Sequence, residues 1–268
     1  MNKSIIVFSP SPYSMLTTSV CELLIRKGYT IDTIVLRKFG LQRFRHEFGR
    51  DGVLLIRKIW NKLILKEKSL SLDEDNILSF RKKHNITVGH IKEFEAHGTK
   101  IIRCQTLNDK VVEDLLRAKK DKIVLFTGGG IIRKNILEVA GDGIINFHMG
   151  VLPRYRGMDL PEWCVLENNT DQLGITLHFM DTGIDTGKIL KIVKIPMKNS
   201  KNIKILRDTF YPVMVTSMVE VLEEYLTGKI QAQAQPKSAK KQYFIVHPKL
   251  HRIIDVKIND SRINEYTN

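Results

Sequence analysis

The sequence predicts an α/β fold with a mostly parallel central sheet and helices on both of its faces. Three observations carry that reading. Ser4–Pro10 is a short β-branched stretch, Thr17–Lys27 repeats apolar residues at helical spacing, and Tyr29–Leu36 is again strand-like. Strand, helix and strand in close succession form a right-handed βαβ unit, which implies parallel pairing. Further on, Thr99–Cys104, Asp121–Gly130 and Gly143–Phe147 read as strands, alternating with helices at Asn108–Ala118 and Ile131–Ala140. Glycines punctuate the pattern: Gly28 stops the first helix, and Gly128-Gly129-Gly130 end the most apolar strand.

The remaining elements follow the same rules. Ser69–Lys83 reads as loop and helix, with Ser71 as N-cap and Asp73 and Glu74 in the first turn. Ile86–Ile91 is expected to be a short strand, and Leu160–Asn168 a helix that tolerates Pro161 in its first turn. Gly174–Met180 and Lys188–Ile195 are strands, and Asn199–Gly228 is one long helix. The economical division is a catalytic-type domain over residues 1–228 and a short, basic, loop-like extension over 229–268 with one strand at Tyr243–Val246.

Between the second strand and the next unit, residues 37–68 turn basic. Val53, Ile56, Trp60 and Leu63 fall at helical spacing with Arg57, Lys58 and Lys62 interleaved, an amphipathic basic helix. It reads as a helix docked on its own domain, as a contact for a membrane or other anionic surface, or as a homodimer interface. The whole chain carries 43 Lys and Arg against 29 Asp and Glu, a formal charge of +14. That balance suits an anionic partner, and it also suits simple solubility.

Three widely spaced cysteines, Cys21, Cys104 and Cys164, argue for a reducing, cytoplasmic setting, with Cys164 a packed thiol. The apolar run Ile5–Phe8 is too short for a secretory signal, and no window approaches a membrane span. The loop Ser9–Ser14 lacks both G-x-G-x-x-G and G-K-[ST], which weighs against a dinucleotide or P-loop site. His247 and His251 have Pro248 between them and no carboxylate partner, so no metal is expected.

Chemistry concentrates between Gly143 and Gly187. Asn146 and His148 lie two apart at the end of a strand and so face one side, while Asp181 and Asp185 sit in a loop after a later strand. An amide, an imidazole and a carboxylate at strand ends supply an oxyanion donor, a proton-transfer group and an orienting acid. Singly, each is an ordinary turn or strand-end residue.

Together, Asn146-x-His148, Leu152-Pro153-Arg154-Tyr155-Arg156-Gly157 and the run Asp181–Gly187, DTGIDTG, resemble the folate-dependent formyltransferases. That family includes glycinamide ribonucleotide, methionyl-tRNA and nucleotide-sugar N-formyltransferases. The resemblance implies a Rossmann-like formyltransferase fold and transfer of a formyl group from N10-formyltetrahydrofolate to a primary amine. It makes Asn146, His148 and Asp185 catalytic, with Asp181 in the loop that embraces the donor. The donor would meet Phe126, Gly128, Gly129, Gly130, Ile131, Ile132, Asp181, Thr182 and Gly183. The amine would lie near Ser9, Ser11, Tyr13, Arg154, Tyr155, Arg156 and Gly157, with Arg154 or Arg156 gripping a phosphate. The first loop lacks the glycine-rich pattern of the glycinamide ribonucleotide enzymes. Lys229–Asn268 is too short for the second domain of the methionyl-tRNA enzymes. A nucleotide-linked amino sugar destined for surface polysaccharide is therefore the leading acceptor, with another anionic amine or a non-catalytic nucleotide-binding module as alternatives.

Overall fold

A computed structural model describes residues 3–38, 76–197, 200–236 and 241–267, with side chains to residue 260. The basic segment 37–68 lies almost wholly outside them, as do Ser71, Asp73 and Glu74. Seven described strands form one sheet in the order β3-β2-β1-β4-β5-β6-β7. They are β1 (Ser4–Ser9), β2 (Ile31–Arg37), β3 (Lys100–Cys104), β4 (Lys122–Phe126), β5 (Ile144–His148), β6 (Gly174–Phe179) and β7 (Ile189–Lys194). The first five pair in parallel, and β6 runs antiparallel to both of its neighbours, β5 and β7. The chain builds outward from β1 in one direction to β3 and then restarts at β4 in the other. The crevice beyond the carboxyl ends of β1 and β4 is therefore a topological switch point, where such sheets take ligands.

Helices cover both faces. On one, α1 (Met15–Arg26) and α6 (Ile203–Leu226) bury Val20, Leu24, Phe210, Met214 and Met218 against Ile5, Val7, Ile34, Leu125, Ile145 and Leu177. On the other, Val112 and Leu116 of α3 (Lys110–Ala118) and Ile136 of α4 (Lys134–Leu137) pack on Ile6, Phe8, Val35, Val124 and Ile144. The α1 helix starts where Ser14 caps the Thr17 N–H at 3.2 Å. The remaining helices are α2 (Ile77–Lys83), α5 (Leu160–Leu166) and α7 (His251–Thr267).

Five expectations are corrected. The cap of α2 is Asn76, whose Oδ1 accepts from Leu78 and Ser79 N–H at 2.9 Å. Ile86–Ile91 is not a strand: the Glu22 carboxylate takes the Thr87 and Val88 N–H groups at 3.1 and 3.0 Å, and a 3-10 helix follows at Ile91–His97. Only one turn, α4, forms within Ile131–Ala140. The terminal segment is not loop-like, because α7 buries Ile254 and Ile258 at i, i+4 and its Asp255 caps Ile203 N–H of α6 at 2.8 Å. Tyr243–Val246 contributes a single bridge, Gly157 to Tyr243, rather than a strand.

One irregularity matters near the site. Leu177 pairs with Lys191 but His178 pairs with Ile189, so β7 carries one extra residue, a bulge, beside His178.

Candidate active site

Asn146 and His148 occupy the end of β5, on the same face as Ile144, because side chains alternate along a strand. Here α3 and α4 give way to loops. One loop follows β5 and returns Tyr155 over His148. The other joins β6 to β7 and returns Asp185 to the same place. The His148 Nε2–H donates to the Tyr155 carbonyl at 2.8 Å, which leaves Nδ1 facing Asp185 Oδ2 at 3.5 Å. Proton uptake by His148 thus occurs at the nitrogen that points at the carboxylate. Asp185 Oδ2 also accepts the Gly157 N–H at 3.0 Å.

A further histidine completes the group. His178 on β6 stands directly opposite Asn146 across the antiparallel ladder. Its Nδ1–H donates to the Phe179 carbonyl at 2.8 Å, so its Nε2 is an acceptor and takes one Asn146 Nδ2–H at 3.1 Å. The other amide hydrogen and the amide oxygen of Asn146 are left to the site. His178 Nε2 lies 3.8 Å from Asp185 Oδ1, so the carboxylate is bracketed by two rings whose centroids are 6.1 Å apart. Burial holds both histidines below the ordinary imidazole range, with Asp185 opposing it for each; at His178 the neighbouring His148 depresses it further. The sequence reading missed His178. Its signal was Thr176-x-His178, a polar pair on alternate positions of an otherwise apolar strand, mirroring Asn146-x-His148. Thr176 has a task of its own: its hydroxyl donates to Gly150 O at 2.6 Å and accepts Leu152 N–H at 3.1 Å, holding the loop after β5.

The residues expected at the donor lie at the end of β4 and on the loops that follow β4 and β6. Phe126 pairs with Asn146 in the parallel register, and the following glycines all take positive φ, at 123°, 129° and 110°. Glycine is required there: Arg37 Nη1 donates to Gly129 O at 2.8 Å and would lie 2.9 Å from a Cβ on Gly130. Ile131 is 84% exposed, whereas Ile132 is buried. Asp181 shapes its own turn by accepting Gly183 N–H at 3.1 Å and the Thr186 hydroxyl at 2.6 Å, with Thr182 and Gly183 exposed.

The residues expected at the amine separate. Ser9 is fully buried, its hydroxyl bonded to Ser11 O at 2.9 Å and Thr17 Oγ1 at 3.0 Å, so it shapes the turn after β1. Ser11 is half-buried, and Tyr13 is exposed with its ring edge-on to His90. Arg154 is exposed and lies over the Tyr155 ring at 5.7 Å. The Tyr155 side chain is wholly buried and its hydroxyl donates to Glu167 at 2.9 Å, while its carbonyl meets His148. Arg156 donates to Gln235 Oε1 at 3.2 Å, and Gly157 serves Asp185. Cys164 is buried and its thiol pushed up to about 12 by that burial, which suits packing and not nucleophilic attack.

At the switch point lies a cavity of about 470 Å³. Pro10, Ser14 and Thr127 line its sheet side, α2 contributes Ile77 and Leu78, and α6 presents Lys204, Asp208 and Tyr211 at i, i+4 and i+7. Thr127 immediately follows Phe126, the β4 residue that pairs with Asn146 of β5.

Residues 77–222, more than half of the chain, match the family model described as formyl transferase. The chain belongs to the formyl transferase family. Curated relatives include methionyl-tRNA formyltransferases of Trichlorobacter lovleyi, 33% identical over 54% of this chain and 46% of its own length, and of Geobacter sulfurreducens, 33% identical over 47% and 40%. The chain thus spans somewhat less than half the length of the relatives it matches. Among solved structures, glycinamide ribonucleotide transformylase 1 of Symbiobacterium toebii superposes with a TM-score of 0.57 at 13% identity, over 87% of this chain and 94% of that one. An N-formyltransferase of Helicobacter canadensis, solved with folinic acid and dTDP-3-aminofucose, gives 0.56 at 15% identity over 91% and 71%. At these identities the likeness is one of fold. This formyl transferase chain has the expected mostly parallel sheet, to which the structure adds an antiparallel strand, β6.

Proposed function

We propose that the protein transfers a formyl group from N10-formyltetrahydrofolate to the primary amine of a nucleotide-linked amino sugar. The observation that carries the transfer is the Asn146–His178–Asp185–His148 group: an amide donor, a carboxylate and the Nδ1 of an imidazole brought together at the strand ends. The donor would sit against Phe126 and residues 128–132 and 181–183, where Ile131 and Ile184 expose apolar surface to a flat ring.

The amine lone pair attacks the formyl carbon, and the carbonyl electrons move onto oxygen. The free Asn146 N–H and a proton held on His148 Nδ1 meet that oxyanion; one such donor contributes about 3 kcal/mol. Asp185 takes a proton from the attacking nitrogen. As the oxyanion re-forms the carbonyl and the carbon–N10 bond breaks, that proton passes from Asp185 to N10, and the products are the formamide and tetrahydrofolate. Asp185 also stabilises the imidazolium form of His148, which burial alone disfavours.

The cavity at the switch point supports a small acceptor, since its volume falls within the usual range of small-molecule sites, about 300–1,000 Å³. The curated relatives favour a second reading, the amine of methionyl-tRNA. Incubating the full chain with N10-formyltetrahydrofolate and either aminated nucleotide sugars or methionyl-tRNA separates them by a mass gain of about 28 daltons, the mass of CO. A gain on the sugar and none on the tRNA is expected. Gain on the tRNA alone replaces the acceptor, and no gain on any amine removes the transfer itself.

A further inference from the structure

We infer that Gln235, in the C-terminal segment, is a positioning residue that holds Asp185 against His148. The assignment rests on the formyl-transfer reading for its catalytic meaning, but its geometry stands independently. Asp185 is a non-glycine residue at φ 53°, a left-handed conformation that persists only where neighbours enforce it. Gln235 supplies that enforcement. Its Nε2 donates to Asp185 O at 2.9 Å and to Gly187 O at 2.7 Å, spanning the turn on either side of Thr186. Its Oε1 accepts Arg156 Nη2–H at 3.2 Å, and the adjacent Gly157 N–H holds Asp185 Oδ2 at 3.0 Å. One side-chain amide therefore ties together the two loops that meet at the carboxylate.

The backbone around Gln235 is anchored at both ends. Gln233 exchanges two hydrogen bonds with Ile189 of β7, each 2.8 Å. Beyond it, Tyr243 N–H donates to Arg156 O at 2.8 Å and Tyr243 O accepts Met158 N–H at 3.1 Å. The Tyr243 ring stacks on Tyr155, and both hydroxyls end on Glu167. The segment thus grips the Asp185 loop and the Tyr155 loop separately, and Gln235 is the point where the two are joined.

The test compares Gln235→Ala and Gln235→Glu in the full chain with wild type and Asp185→Asn. The glutamate keeps the size and the Arg156 partner and loses both N–H donors. We expect folded variants whose kcat falls about tenfold to a hundredfold, the scale on which an ångström of misplacement acts, while KM for donor and acceptor moves less than about threefold. A structural role alone would not move a second readout, the NMR titration of the His148 ring. Among the described residues, Asp185 and His178 are the titratable groups facing that ring. In both Gln235 variants its midpoint should fall, in the direction that Asp185→Asn produces, because the anion that favours the charged ring has drifted away. An unchanged kcat together with an unchanged His148 titration overturns the assignment. If Gln235→Ala does not fold, Gln235→Glu decides. If wild type formylates no amine, the formyl-transfer reading falls, and the titration alone decides whether Gln235 positions Asp185.

Discussion

Replacing His178 by leucine tests whether a neutral imidazole aims the Asn146 amide. The two side chains are similar in volume, so no large cavity opens and the loss is one of hydrogen bonds. Asn146 Nδ2 loses its acceptor at 3.1 Å and the Phe179 carbonyl its donor at 2.8 Å, both beside a fully buried ring. Each group left without a partner costs about 1–3 kcal/mol, so folding stability should drop by about 2–6 kcal/mol. The kinetic effect has a ceiling. Losing an oxyanion donor outright costs about a hundredfold to a thousandfold in kcat. Since His178→Leu leaves the amide present but unaimed, about tenfold to a hundredfold is expected. Absorbance on tetrahydrofolate release gives the rate, and urea midpoints give the stability. The decisive comparison is the double variant: with Asn146→Ala in place, His178→Leu should slow the reaction little further, because the two act as one unit. Additive effects on kcat, or a folded His178→Leu with wild-type kcat, would refute the aiming role.

Asp185→Asn keeps the shape and removes the anion, so kcat should fall at least about a hundredfold, and the alkaline limb of the pH–rate profile should move to lower pH as His148 loses the charge that favours its protonation. Stability should itself depend on pH. Both histidines are held below the ordinary value in the folded chain, so the unfolded chain binds more protons. Their contribution is complete above the unfolded value, about 6.5. It is lost as pH falls toward the folded values, by at most about 1.4 kcal/mol per pH unit for each ring. Denaturant midpoints at mildly acid and neutral pH should show this, with a shallower dependence in His178→Leu; equal slopes would contradict the buried neutral state. Gly157→Ala should cost more than about 2 kcal/mol, because φ is +106° and the new Cβ would collide with the Tyr243 carbonyl. A thermal midpoint within a degree of wild type would show that the bridge to the C-terminal segment bears no strain.

The parts of the fold legible in the sequence are those where burial is periodic. The strands β1, β2, β4 and β5 are short β-branched runs because both of their faces are covered, and α1 and α6 show their stripes because each lies on the sheet. Asn146, His148 and Asp185 were legible because three motifs recur at fixed spacing. His178 was not, because its partner is set by an antiparallel pairing across a separation of 32 residues. Gln235 gave even less, since a polar residue in a basic tail carries no local signature of the two carbonyls it serves. Ile86–Ile91 was misread for a related reason: its backbone donors are satisfied by a side chain, Glu22, and propensity does not register that. The helix α7 did carry a signal in Ile254 and Ile258, overshadowed by the charge around them.

The extra residue in β7 turns chain length into a catalytic variable. It lets β7 leave the Asp185 loop in step with Ile189 and still meet Leu177 in step with Lys191. Deleting Leu190 would remove the surplus and leave a regular ladder, with Ile189 still opposite His178 and Lys191 still opposite Leu177. No group of the site would be altered chemically, yet the bend and added twist that the bulge gives β7 at the root of the Asp185 loop would be lost. Residues 188–194 should therefore accept changes of identity on the exposed face far more readily than a change in number. A single-residue deletion scan there would report on the reacting centre without touching it.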